Sequence, residues 1–168
     1  SMAVSAAQEA LTAQGAICVP VDVPSHDDMN LVWAAALAAE AATIHRRWLR
    51  ERPEDYGALV RRRIEFGLYQ PATRYIEALT LRDQIMQSYC HQVFSHCDVM
   101  LTPTAPIPAP TLEDVDVGDS EDMPALVMKL SQSTRPISYL GLPALSVPCG
   151  FTKEGLPTAF QLIGRPFS

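Results

Sequence analysis

Apolar residues recur at helical spacing through much of the first hundred positions, and the texture changes after that. Val4, Ala7, Ala10 and Leu11 fall three to four apart, which predicts a short amphipathic helix over 3–14. Gln14-Gly15 stops it, and the apolar run Ala16–Val23 reads as a strand, interrupted by Pro20 and closed by Pro24. Ser25 or Asp27 is placed to cap an alanine-rich helix over about 28–50, which Pro53 ends. A third helical stretch runs from Asp55 to about Gly67, and a fourth covers about 71–97. In the fourth, Ile76, Leu79, Met86, Cys90, Val93 and Cys97 define the expected buried face.

Beyond Asp98 the pattern turns to short strands and proline. Val99-Met100-Leu101 reads as a strand, and the nine residues 102–110 that follow hold four prolines. Six acidic residues between Glu113 and Asp122 make the rest of the 102–122 segment a solvated loop. Pro124–Ser131 suits a short helix. Ala144–Cys149 and Thr158–Ile163 close the chain as two strands around a Gly-bearing turn. Four short strands, separated by a long helical block, are few for an independent sheet and predict part of a larger one.

Composition narrows the class. The chain has 168 residues, 48% apolar and 19% charged, one domain's worth with enough apolar surface for a core. Residues 3–168 read as a single domain, with Ser1-Met2 as an added scar. Net charge is −6, which argues against a nucleic-acid binder, and no apolar run is long enough to span a membrane. No secretory signal opens the sequence and the four cysteines are sparse, so a cytoplasmic setting is expected. Cys90-His91 and His96-Cys97 come nearest to a metal pattern. On a helix their side chains diverge, so no metal site is expected, and no cofactor motif is present.

Two clusters invite chemistry. Seven of the 13 basic residues lie between Arg46 and Arg63, interleaved with Glu51, Glu54 and Asp55. Solvated helix faces account for most of that charge, and one arginine of the set suits a substrate anion. Lys129 with Ser131 or Ser133 resembles a serine–lysine pair, but no glycine-rich turn stands beside it to bind an oxyanion.

The most specific stretches are Asp98 with Leu101-Thr102-Pro103-Thr104 and Pro106, Thr134-Arg135-Pro136, Gly141-Leu142-Pro143 through Pro148-Cys149-Gly150, Gly155-Leu156-Pro157, and Gln161 through Arg165. Together they resemble the C-terminal region of the amidase signature family. Weaker likeness runs upstream through Ala10–Gly15, Val23-Pro24, Arg63-Ile64 with Gly67, and Tyr75 with Ala78. Ile137-Ser138 replaces the family's usual aromatic-Asn pair, and Ala159-Phe160 its usual Gly-aliphatic pair.

The resemblance implies an α/β fold, the C-terminal part of an amidase, with mixed-sheet strands flanked by helices. Family members hydrolyse amides or transfer ammonia within tRNA-dependent amidotransferases. They use a serine nucleophile, a cis-peptide serine and a neutral lysine. Those residues sit in a Gly/Ser-rich N-terminal stretch that this sequence lacks, so no catalytic residue is assigned here. The resemblance makes Arg63, Tyr75, Thr104 and Arg135 pocket candidates toward a small-molecule amide. Gly141, Pro143, Pro148, Gly150, Gly155 and Gln161 become the structural motif. It further implies a missing N-terminal amidase portion as partner, and self-association of the chain without it. A non-catalytic binding or assembly module on the same scaffold is the alternative.

Overall fold

A computed structural model describes the backbone of residues 2–115 and 122–167, and the side chains of 4–25, 29–115 and 125–167. Four helices come first: α1 (Met2–Ala13), α2 (His26–Glu51), α3 (Ala58–Phe66) and α4 (Ala72–Phe94). Strand β1 (Val99–Pro103) follows, then the single turn α5 (Leu112–Val115), α6 (Asp122–Leu130) and α7 (Arg135–Leu140). Strands β2 (Ala144–Phe151) and β3 (Pro157–Gly164) form the closing hairpin. Much of the expected acidic loop lies outside the described residues. Its described beginning is α5, where the Thr111 hydroxyl donates to the Asp114 carboxylate and accepts from the Asp114 amide.

The sheet has the order β1-β3-β2, with both pairs antiparallel. Each row across it is set by register: Met100–Ile163–Ala144, Leu101–Leu162–Leu145, Thr102–Gln161–Ser146. Side chains alternate between faces. One face turns Met100, Gln161 and Ile163 toward the helical block, where the Tyr89 hydroxyl donates to Met100 Sδ at 3.5 Å. On the other face, α1 lies against β2 and β3 over Phe160 and Cys149. Phe160, which stands where the family usually has an aliphatic residue, fills the floor beneath α1.

Local chemistry explains the strand ends. Gly141 closes α7 in the left-handed conformation (φ 70°), where its N–H reaches the carbonyls of Ile137 and Ser138. Thr152 organises the hairpin turn, its hydroxyl accepting from the amides of Glu154 and Leu156, each at 3.2 Å.

Two expectations are corrected. Residues 16–23 form no strand: Pro20 removes a donor, and among the described residues no neighbouring strand is there to pair with them. The sheet therefore has three strands among the described residues rather than four. The expected buried face of α4 holds at Val93, with Met86, Cys90 and Cys97 packed against the core, and departs at its first position. Ile76 is 60% exposed, while Ala78, Tyr89, Val93 and Phe94 are buried. The cause lies on α7, where the Tyr139 hydroxyl donates to the Ala78 carbonyl and draws that side of α4 inward.

The helical block is fixed by a close approach at Gly67, in the 3-10 turn that follows α3. A Cβ there would sit 1.8 Å from the Ala38 carbonyl oxygen and 2.8 Å from the Ala42 Cβ of α2. No side chain fits against that backbone. Gly67→Ala is expected to cost on the order of 3 kcal/mol, read as a lower urea midpoint with an unchanged slope.

Burial also sets an alkaline limit. It pushes the Tyr89 phenol from 10.0 up to about 12, with the Cys90 and Cys97 thiols adding to the shift. The native state then holds a proton that the unfolded chain has released. Stability from this group is complete below pH 10 and falls as pH rises through about 12. Tyr89→Phe should flatten the decline in unfolding free energy over that window.

Candidate functional site

The four pocket candidates are carried by four different segments. Arg63 sits in the last turn of α3 and Tyr75 near the start of α4, both packed around α2. Thr104 follows β1, and Arg135 opens α7. Among the described residues no hydrogen bond or ion pair joins any two of the four.

Arg135 is the most constrained. It is only 4% exposed, and its guanidinium lies 5.0 Å from the Trp33 ring centroid on α2. Nε donates to Ser131 Oγ at 2.9 Å, and Nη2 donates to Ser131 Oγ at 2.7 Å and to the Val127 carbonyl at 2.8 Å. Nη1 donates to Met128 Sδ. Four of its five N–H groups are thus spent on the C-terminal turn of α6, where a cation suits the helix dipole. Among the described residues no carboxylate pairs with it. Burial, and secondly the Arg63 charge, lower its pKa from the ordinary guanidinium value. Of the two cations, Arg135 is the one set against the Trp33 ring. Arg63 is exposed, and an exposed guanidinium suits a carboxylate or a carbonyl oxygen.

The same contacts decide one of the two serines beside Lys129. Ser131 Oγ accepts twice from Arg135 and donates to the Val127 carbonyl at 2.6 Å. Its proton is committed to a backbone acceptor and both lone pairs are occupied, so the hydroxyl is not a nucleophile in this arrangement.

Tyr75 donates to Glu40 Oε1 of α2 at 3.4 Å. Thr104 Oγ1 and Ser146 Oγ lie 3.1 Å apart, reaching across β3 above Ala159, whose carbonyl accepts the Thr104 amide at 3.1 Å. Gln161 is buried, and its Nε2 donates to Thr102 Oγ1 at 3.0 Å and to the Ser133 carbonyl at 2.9 Å. Pro143 offers its carbonyl to the Gly164 amide at 3.0 Å, and Pro148 and Gly150 flank the register shift in β2. Gly150 (φ 137°) and Gly155 (φ 82°) take backbone angles closed to most side chains.

Much of the arginine cluster is solvated and paired. Arg47–Glu51, Arg52–Asp55 and Arg61–Glu65 form exposed ion pairs at 3.0, 3.4 and 2.7 Å. Among the described residues no group of three or more His, Cys, Asp or Glu converges to hold a metal ion. Trp33 and the orphaned Asn30 Oδ1, both near the start of α2, are the residues that sequence reasoning missed. A tryptophan in an alanine-rich helix was the available signal for the first. Asn30 carried none.

The model of the amidase family matches residues 1–168. The chain belongs to the amidase family. An amidase of Pseudomonas putida is 39% identical over 165 residues, which is 98% of this chain and 35% of that protein. A glutamyl-tRNA(Gln) amidotransferase subunit of Myxococcus xanthus (strain DK1622) is 36% identical over 134 residues, 77% of this chain and 26% of that one. A crystal structure of an amidase superposes with a TM-score of 0.79 at 28% identity, covering 97% of this chain and 37% of the other. The amidase-family chain therefore spans between about a quarter and a little over a third of the length of the relatives it matches. Among the described residues, no helix of it is long and apolar enough to cross a membrane.

If Arg135 holds α6 as a planar fork, an ammonium will not replace it. Arg135→Lys should lose about 2 kcal/mol of stability. Amide exchange in α6 should accelerate more than exchange in β3.

Proposed function

We propose that residues 3–168 form the single C-terminal domain of an amidase that cleaves the C–N bond of a small-molecule carboxamide. The observation that carries this reading is a family match along the whole chain in which Ser131, one of the two serines beside Lys129, has a fully committed hydroxyl. An amidase is favoured over an amidotransferase component because likeness to the former extends over 98% of the chain and to the latter over 77%.

In this reading the nucleophilic serine, the cis-peptide serine and the neutral lysine come from an N-terminal amidase portion. The serine oxygen bonds to the amide carbon, the amine leaves with a proton, and water then cleaves the acyl ester. This chain supplies a pocket wall. Arg63 binds a substrate oxygen, Trp33 and Arg135 shape the surface beside it, and Tyr75 and Thr104 are the other pocket candidates. Arg63 is the member with donors to spare, because no ion pair or hydrogen bond among the described residues occupies it. The setting is cytoplasmic. Alone, the chain self-associates through apolar residues such as Val99 and Leu145 that the rest of the enzyme would cover.

The test is a chimera in which this chain replaces the matching region of the Pseudomonas putida amidase. The isolated chain should sediment above monomer mass at micromolar concentration, turn over no amide and resist fluorophosphonate labelling. The chimera should hydrolyse carboxamides, with Arg63→Ala raising KM about tenfold at little cost in kcat, a loss of about 1.4 kcal/mol of binding. Turnover by the isolated chain, or a folded chimera inert toward every amide tried, would overturn the reading.

A further inference from the structure

Helix α2 carries an apolar seam on a face that the described residues leave largely uncovered. Ala34, Leu37, Ala41, Ile44 and Trp48 follow one another at alternating steps of three and four, the spacing of a helix-pairing seam. Ile44 is 68% exposed, Trp48 41% and Leu37 39%, and Ala34 is exposed with them. The core side of the same helix lies elsewhere, at Met29, Ala36, Ala42 and Leu49. Along one flank, the turn of Gly67 against Ala38 brings the exposed Leu68 and Tyr69 alongside. The exposed Glu40 and Arg47 stand along the other.

We infer that this face is a docking surface, and that its occupant is the same face of a second copy with the two α2 helices antiparallel. Self-complementarity favours that occupant, because a two-fold interface must match itself. An antiparallel pair with Ala41 opposite Ile44 of the other copy repeats that contact across the axis. In the next layer out, it sets Leu37 opposite Trp48. The two central layers thus face a small side chain with a large one. The same register brings Glu40 of each copy level with Arg47 of the other, twice along one edge of the seam. Arg47 is bonded to Glu51 through Nε at 3.0 Å, and no hydrogen bond among the described residues uses its outer nitrogens. Glu40 accepts from Tyr75 through Oε1 at 3.4 Å, which leaves Oε2 for a partner. A parallel pair stacks Ala41 on Ala41 and Trp48 on Trp48, leaving a gap in one layer and crowding another. Neither the seam nor its pairing depends on the reading of the chain as part of an amidase.

Cross-linking and sedimentation of the 168-residue chain decide it. Chains carrying Ala41→Cys and Ile44→Cys, mixed under mild oxidation, should form the disulfide between positions 41 and 44 faster than either alone forms its symmetric link. Mass spectrometry of the linked peptides reads the two. Faster symmetric links mean parallel helices and overturn the pairing. For sedimentation, Val99→Ser with Leu145→Ser first removes the sheet surface as a contributor. That double variant should remain a dimer, and Ile44→Glu added to it should weaken association at least about tenfold. Leu31→Glu is the control: Leu31 is 74% exposed, but the seam continues back to Asn30 and not to it, so association should be unchanged. A monomeric double variant, or equal weakening by Leu31→Glu, overturns the α2 surface. Association that ignores Val99→Ser and Leu145→Ser yet falls with Ile44→Glu leaves this surface standing and removes the sheet-mediated association instead.

Discussion

Gln161 joins three parts of the chain that are distant in sequence. From the middle of β3 its amide nitrogen donates to Thr102 on β1 and to the Ser133 carbonyl just before α7. Burying an amide in this way is costly unless it is satisfied, so the hydrogen bonds oblige sheet and helical layer to meet in one register. Ile163, two residues on and on the same face, is fully buried and supplies the apolar part of that junction. A register slip of one residue would turn both away from the core. The positions of β1, β2 and α7 follow from β3.

Two further constraints order the helices. Gly67 lets the turn after α3 touch the α2 backbone at Ala38, and Tyr139 ties α7 to the α4 backbone at Ala78. Arg165 extends the same logic to the sheet's end, donating to the Phe94 carbonyl at the close of α4. In each case a main-chain carbonyl is the fixed point. Such contacts tolerate little change, because backbone oxygens cannot move without shifting the whole helix. Arg63 is carried by α3 within this frame, so packing of α3 on α2 sets where its cation stands.

Arg135 shows how one residue type serves different ends. Its resemblance to a family motif nominates it for a pocket, but its fork closes on Val127, Met128 and Ser131 within the preceding eight residues. Those partners are local in sequence, yet nothing in their spacing distinguishes a capping arginine from a ligand-binding one. Burial makes that distinction, through the packing of α7 against α2 and the Trp33 face. Arg63, similar in composition and neighbourhood, remains exposed.

Periodicity and turn chemistry made α1, α2, α4 and the closing hairpin legible from the residues alone, because helix and hairpin bonds are made between near neighbours. Gly141 and Thr152 belong to that local grammar. Most of the buried face of α4 was legible too, but not its first turn, since the contact that favours Ala78 over Ile76 comes from Tyr139, 61 residues further along the chain. Nor was the fate of residues 16–23, whose sequence favours a strand but whose ladder requires a second chain segment. The sequence by itself determined which segments fold and to which family they belong. Tertiary structure decided which side chains are committed and which remain free, because satisfaction of a donor or an apolar face depends on what is brought against it.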